Sequence, residues 1–142
     1  MYNQNNLPPG VASAEKGDTL LAMMEFEKIE RHTPLTRSYY AYVIARERGE
    51  FNQAMALCRE SMREDPQNTT HYLNLGRVFL AAGRRDQAIR TFRKGLKFGR
   101  DLKIQRHLDQ LGARKQELFP ALNRNNPLNK YLGLFFSRVG LR

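Results

Sequence analysis

Apolar residues recur at spacings of three and four along most of the chain between residues 17 and 119. Such spacing is typical of amphipathic helices, and a glycine between two stretches of this kind ends one helix before the next begins. The clearest example is residues 69–99, where apolar residues flank Gly83 on both sides: Tyr72, Leu75 and Phe79, then Ala88 and Phe92. This pattern predicts two short helices packed face to face.

The same arrangement occurs 34 residues earlier, with Gly49 in the place of Gly83 and Ala54 in the place of Ala88. Both the period and the order of residues resemble the tetratricopeptide repeat, W-x2-L-G-x2-Y…A-x3-F…P, which is matched here by Tyr72, Leu75-Gly76, Phe79, Ala88 and Phe92. The resemblance implies an all-α fold. We expect a right-handed helical solenoid of antiparallel helix pairs, with about two full repeats plus flanking and capping helices.

The repeat pattern divides the chain into six parts. We predict a disordered arm over residues 1–16, because they are polar, rich in Asn and contain Pro8-Pro9-Gly10. The solenoid covers 17–119, with full repeats at 35–68 and 69–102. Residues 17–34 are interpreted as the second helix of a repeat that lacks its first helix, and 103–119 as a partial repeat. Residues 120–142 are predicted to form a linker and a basic amphipathic capping helix.

The helix predicted within residues 17–34 has apolar residues on more than one face, including Leu20, Leu21 and Met24. A helix of this kind needs cover on several sides. Three explanations remain open at the level of sequence. The N-terminal arm covers it, a second copy covers it and makes a homodimer, or the extra side chains fill an irregular solenoid end.

The C-terminal segment carries an apolar stripe opposite Lys130 and Arg138: Leu128, Tyr131, Leu132, Phe135, Phe136 and Val139. We predict that it caps the solenoid. A basic amphipathic helix is also suited to a membrane surface or to docking on a partner, and these stay as alternatives.

One repeat departs from the family pattern. In the helix that begins near Leu35, Ala41 and Ala45 stand at large positions and Tyr42 at the small one, which predicts a loosened contact between the two helices. Cys58 stands where Phe92 stands in the next repeat, and we expect a small buried thiol there.

The chain carries a net charge of +10, all of it from the second half. Residues 1–65 hold 8 Lys and Arg against 10 Asp and Glu, whereas residues 66–142 hold 16 against 4. This excess favours an acidic partner or provides a solvated face. A basic patch that could bind nucleic acid as an alternative function consists of Arg84, Arg85, Arg90, Arg93, Lys94, Lys97, Arg100, Lys103 and Arg106.

No catalytic or metal-binding constellation is present in the sequence. His32, His71 and His107 are 39 and 36 residues apart without other ligands at suitable spacing, and we expect His71 at the surface. A single cysteine indicates a reducing compartment, and neither a secretory signal nor an apolar run long enough to cross a membrane is visible. We therefore predict a cytoplasmic protein that is not an enzyme and binds no cofactor or metal.

The family resemblance also implies a concave groove lined by the first helix of each pair. On this sequence the inward-facing residues are then Tyr39, Val43 and Arg46 from one repeat, and Leu73, Asn74, Arg77 and Leu80 from the next. Apolar anchors with two guanidinium groups suit a protein or peptide segment that carries some acids. One subset of the family clamps a C-terminal carboxylate with Lys and Asn. Tyr39 and Val43 stand at those places and only Asn74 matches, so we do not expect that activity.

Overall fold

The computed structural model describes residues 6–112, and every regular element in this part of the chain is an α-helix. The helices are α1 (Pro9–Glu15), α2 (Thr19–Glu27), α3 (Pro34–Arg48), α4 (Phe51–Glu64), α5 (Thr69–Ala81), α6 (Arg85–Leu96) and α7 (Leu102–Gln110). The predicted all-α class is thereby confirmed.

The helices pack in chain order as pairs, α1 with α2, α3 with α4, and α5 with α6, followed by α7. The first helices of neighbouring pairs also touch, α1 with α3 and α3 with α5, so that the pairs stack side by side. Their apolar faces form one cluster that runs from Val11 to Leu108. Each pair therefore buries its apolar surface against the next pair, as a helical repeat requires.

A glycine in the left-handed conformation follows the first helix of each pair. Gly17, Gly49 and Gly83 have φ values of 86°, 65° and 73°. A side chain at such a φ is strained, so glycine is the residue that ends a helix there most readily. The recurrence of this stop after α1, α3 and α5 shows that the three pairs are built alike.

Side-chain caps begin four of the helices. Asp18, Thr33, Asn68 and Asp101 each accept a hydrogen bond from a backbone N–H in the first turn of α2, α3, α5 and α7. Such caps satisfy donors that have no partner within the helix. The short polar residues between the helices therefore set where each helix starts.

The predicted disorder of residues 1–16 is wrong for residues 9–15, which form α1. Pro9 lies in the first turn, where its fixed φ and missing N–H favour a helix start. Val11 and Ala14 of α1 are buried in the core. The helix at residues 19–27 therefore does not lack its first helix, because α1 takes that place.

Glycine allows close contact within the first and third pairs. A Cβ atom added at Gly10 would lie 2.6 Å from Phe26 Cε1, and one added at Gly76 would lie 2.1 Å from Phe92 Cε1. The middle pair has Tyr42 in the place of the glycine and Cys58 in the place of the phenylalanine. The helices α3 and α4 still pack along their length, so bulk has moved from the second helix to the first without separating them.

Two predicted parts extend beyond the described residues. The partial repeat at 103–119 is described as far as Gly112, and its helix α7 runs over Leu102–Gln110. The linker and capping helix predicted at 120–142 lie beyond the described part of the chain.

Candidate functional site

The carboxylate of Glu15, at the end of α1, is the meeting point of three other helices. Its Oε1 accepts hydrogen bonds from the Tyr39 hydroxyl on α3 and from Arg77 Nη1 on α5, the latter at 3.2 Å. Its Oε2 lies 2.8 Å from Lys103 Nζ on α7. We name these four residues the Glu15 cluster. Since α1, α3 and α5 are the first helices of their pairs and α7 follows the last pair, we call the surface that these four helices form the first-helix face.

Arg77 is the most constrained member of this cluster. Besides Glu15 it contacts Asn74 Oδ1 at 3.3 Å and His107 Nε2 at 3.4 Å. Its guanidinium carbon also lies 5.0 Å from the centre of the Tyr42 ring, within the range of a cation–π interaction. Because only 13% of its side chain is exposed, Arg77 is held in a fixed position and presents its charge in one direction.

The cluster shifts the pKa values of Glu15 and Tyr39 in opposite directions, and it also affects the neighbouring His107. Burial alone would raise the pKa of Glu15, but hydrogen bonds from Lys103 and Tyr39 and the charge of Arg77 hold that pKa below its usual value. Burial, together with the charge of Glu15, raises the pKa of the Tyr39 hydroxyl. Burial and the charge of Arg77 lower the pKa of His107. The cluster therefore stabilises the ionised form of the Glu15 carboxylate.

A cavity of about 450 Å³ lies beside the cluster. It is bounded by α1 on one side and by the N-terminal parts of α3, α5 and α7 on the other, with Leu7, Val11 and Leu35 as apolar walls and Thr70 and Lys103 among its polar groups. This volume falls within the range of small-ligand and side-chain pockets. The first-helix face therefore offers apolar contacts next to a carboxylate-binding group.

The residues predicted to line the groove fall into two groups. Tyr39, Val43, Leu73 and Asn74 are buried, with 3% or less of their surface exposed. Arg46 is exposed and bonds through Nη1 to the Tyr42 hydroxyl at 3.1 Å, while Leu80 is half-buried and Arg77 belongs to the Glu15 cluster. Four of the seven predicted groove residues are therefore closed to direct contact, whereas Arg46 is exposed and Leu80 partly so.

The residues of the predicted basic patch lie on α6, on α7 and in the segments next to these helices. Arg90 and Lys94 are exposed one turn apart on α6, whereas Lys103 belongs to the Glu15 cluster. Arg93 is half-buried, and Arg84 lies 3.9 Å from the sulfur of Met55. The remaining members are exposed on α6, on α7 or between them: Arg85, Lys97, Arg100 and Arg106.

A buried polar cluster joins α3 to α5, and the sequence prediction for His71 is wrong in this respect. His71 is fully buried, with Nδ1 3.0 Å from Ser38 Oγ and Nε2 3.4 Å from Asp65 Oδ2. Asn74 Nδ2 donates to the same Ser38 Oγ at 3.1 Å. Ser38 is itself fully buried and donates to the Leu35 carbonyl oxygen, so the group fixes two repeats together and has no access to a substrate.

The helices described here contain no span long and apolar enough to cross a membrane. Within residues 6–112 no group of three or more His, Cys, Asp or Glu side chains could hold a metal ion. The stacked helical pairs define the class of the described part as a helical-repeat protein.

Comparison with known proteins agrees with this class. The model of the tetratricopeptide repeat family matches residues 45–111, which include the end of α3 and all of α4, α5, α6 and α7. The resemblance found in the sequence is thus confirmed, and residues 45–111 belong to the tetratricopeptide repeat family. Such repeats generally mediate protein–protein interaction. No curated protein and no solved structure matched the chain.

The sequence pattern does not reveal Glu15 as a site residue, because it predicts disorder over residues 1–16. A signal was present: Gly76 precedes Phe92 by 16 residues, and Gly10 precedes Phe26 by the same distance. This match would have placed a first helix around Gly10. The convergence on Glu15 has no comparable signal, because Arg77 and Lys103 lie 62 and 88 residues further along the chain.

Proposed function

We propose that this protein is a cytoplasmic, non-enzymatic adaptor that binds an acidic segment of a partner protein on the first-helix face. The observation that carries the proposal is the convergence of Tyr39, Arg77 and Lys103 from three helices on one carboxylate. A group of donors assembled from separate repeats is the kind of arrangement that recognises an acidic side chain.

The groove of the proposal consists of Tyr39, Val43, Arg46, Leu73, Asn74, Arg77 and Leu80. In this proposal the partner's apolar side chains lie along Leu80 and the cavity walls, while its carboxylates approach Arg46, which is exposed, and Lys103, whose side chain is 45% exposed. Glu15 competes with a partner for Arg77 and Lys103. A partner therefore gains most where it brings several acids, since one acid only replaces an interaction that already exists.

The distribution of charge along this chain supports the proposal of an acidic partner. The segment from Arg84 to Arg100 holds seven cationic residues and one acid, Asp86. Such a surface raises the rate at which an acidic partner arrives, and the effect weakens with salt. Binding should therefore decrease strongly as ionic strength rises.

The proposal is tested by capture of partners on the immobilised full chain. Proteins retained from the source cell lysate are eluted with salt and identified by mass spectrometry. An Arg46→Glu variant should lose the proteins that the wild type retains, because the exposed cation of the groove is reversed. The matched control is Arg63→Glu, since Arg63 is an exposed arginine on α4, a second helix. Equal retention by wild type and Arg46→Glu would show that partners do not use this face.

Nucleic acid is the competing acidic partner, and the same chain can be tested against it. Phe98 is the exposed aromatic residue of the described part, and its ring already stacks on Tyr72 at 5.2 Å. Few aromatic rings are therefore available to stack on bases. A salt titration with random-sequence RNA and DNA should show no binding at about 50 mM salt, where electrostatic binding is strong. Binding under those conditions would favour the basic patch as the functional surface.

A further inference from the structure

The outward side of α2 carries an apolar face without a partner among the described residues. Leu20, Leu21 and Met24 are 56%, 43% and 53% exposed. Their spacing places them on one side of the helix, while Met23 and Phe26 on the other side are buried. A nine-residue helix with apolar side chains on both sides is expected to have something packed on each.

The second helices of the other pairs differ at these positions. Offsets of 32 and 66 residues align α2 with α4 and α6, as shown by Ala22, Ala54 and Ala88. At the aligned positions α4 has Asn52, Gln53 and Ala56, and α6 has Asp86, Gln87 and Arg90. The outward sides of α4 and α6 therefore suit water, whereas that of α2 suits an apolar partner.

The face on α2 lies in an acidic surrounding. Residues 18–30 contain four carboxylates, Asp18, Glu25, Glu27 and Glu30, against one lysine, a net charge of −3. A second copy that used the same face would bring these carboxylates close to their own equivalents. A basic occupant is therefore favoured over a symmetric dimer through α2.

The C-terminal segment of this chain has the complementary chemistry. Residues 127–140 carry the apolar stripe from Leu128 to Val139, with Lys130 and Arg138 opposite. Residues 118–142 contain four cations and no acid. We propose that residues 127–140 pack as an amphipathic helix on the outward face of α2 in the same molecule, with the stripe on Leu20, Leu21 and Met24.

The length of chain is sufficient for this contact within one molecule. The pair between Glu15 and Lys103 brings the end of α1 to the start of α7, and α2 begins four residues after Glu15. From Lys103, α7 extends by about 14 Å at 1.5 Å per residue. The fourteen residues from 113 to 126 then span up to about 46 Å when extended. The proposal concerns a surface other than the first-helix face and does not depend on the adaptor function.

Photochemical cross-linking of the full chain tests the contact. With Phe136→p-benzoylphenylalanine, irradiation and digestion should yield cross-links to residues 19–27, and Met24 is a favourable target. The matched control is Ser137→p-benzoylphenylalanine, on the side of the helix opposite the stripe, which should give at least about tenfold fewer such cross-links. Cross-links that avoid residues 19–27, or equal yields from both positions, would overturn the proposal.

Isotope mixing separates the two sources of the segment. An equal mixture of unlabelled and ¹⁵N-labelled protein should give cross-linked peptides in which both partners carry the same label. Peptides of mixed label would show that the segment comes from a second copy, and would overturn the assignment to the same molecule.

A second measurement does not depend on cross-linking. Leu21→Glu should make trypsin cleave at Lys130 and Arg138 about tenfold faster, because the docked segment is released. Gln53→Glu, at the aligned position of α4, should leave that rate unchanged. Both residues are exposed, so both variants should keep the helical circular dichroism of the wild type. Equal cleavage rates in the wild type and Leu21→Glu would contradict the docked state.

Discussion

Glu15 and Arg77 form an ion pair across 62 positions of sequence, with Oε1 and Nη1 3.2 Å apart. The pair joins the last residue of α1 to the third helical pair, and both side chains are largely buried, at 19% and 13% exposure. The N-terminal helix is thereby tied directly to a repeat that is not its sequence neighbour.

Loss of the Glu15 charge should weaken the fold. Glu15→Gln leaves Arg77 and Lys103 without their carboxylate, and we expect the free energy of unfolding to fall by about 2 kcal/mol at pH 7. Chemical denaturation with urea measures this change. Glu30→Gln is the matched control, because Glu30 is exposed on the loop after α2. A stability equal to that of the wild type would show that the cluster contributes nothing to the fold.

The same variant gives a pH dependence of known sign. The pKa of Glu15 in the folded chain is below its ordinary value of 4.5, so its stabilising effect is present above that value. The effect is lost as pH falls through the lower, folded pKa. The stability difference between wild type and Glu15→Gln should therefore shrink between about pH 5 and pH 3. A difference that stays constant over this range would contradict the assignment.

The contact between Gly76 and Phe92 should not tolerate a methyl group. In Gly76→Ala the new Cβ would meet Phe92 Cε1 at 2.1 Å, so helices α5 and α6 must separate or the ring must move. We expect the free energy of unfolding to fall by about 2 kcal/mol, which is typical of overpacking. Gly99→Ala is the control, because its nearest neighbour would lie at 3.7 Å. Equal melting temperatures for Gly76→Ala and the wild type would refute the close contact.

Protonation of His71 should destabilise the interface between α3 and α5. Burial lowers the pKa of His71, and Asp65, at 3.4 Å from Nε2, opposes this only in part. Since the folded pKa is below the unfolded one, the stabilising effect is complete above about pH 6.5 and is lost as pH falls through the folded pKa. The unfolding free energy of the wild type should therefore decrease from about pH 7 to pH 5. His71→Gln should reduce that slope, and an unchanged slope would exclude His71 as its source.

Cys58 should be inert in the native protein. The thiol is fully buried and burial raises its pKa, so little thiolate is present at neutral pH. Labelling with a thiol-specific chromogenic disulfide should be about 100-fold slower than for a free thiol. In denaturant, where the thiol is exposed, the labelling of Cys58 should become fast. Fast labelling of the native chain would mean that α4 opens readily.

The sequence was sufficient for the central part of the fold. The 34-residue period around Gly49 and Gly83 correctly predicted helices α3 to α6, because the glycine stop and the small alanine after it are local requirements of a tight helix pair. The error over α1 also has a local cause. Pro8-Pro9-Gly10 was interpreted as a helix breaker, whereas proline at a first turn begins a helix and Gly10 admits the Phe26 ring.

The candidate functional site is harder to predict from the sequence than the fold. Arg77 was identified as a group that grips a carboxylate, but its observed partner is Glu15 of the same chain. The burial of His71 also escaped prediction, because a polar residue beside Tyr72 looks solvent-facing until the packing of α3 on α5 is known. Contacts over 62 or 33 residues depend on how successive pairs are oriented, which local spacing does not determine.

The exchange of bulk in the middle pair limits how this protein can be recombined. A chimaera that joined α3 directly to α6 would set the Tyr42 ring against the Phe92 ring, and one that joined α5 to α4 would set Gly76 against Cys58 and leave a void. A chimaera that is joined between pairs, in the segments before Pro34 or Thr69, keeps each first helix with its own second helix. For anyone who builds longer or shorter versions of this chain, the transferable module is the whole helical hairpin.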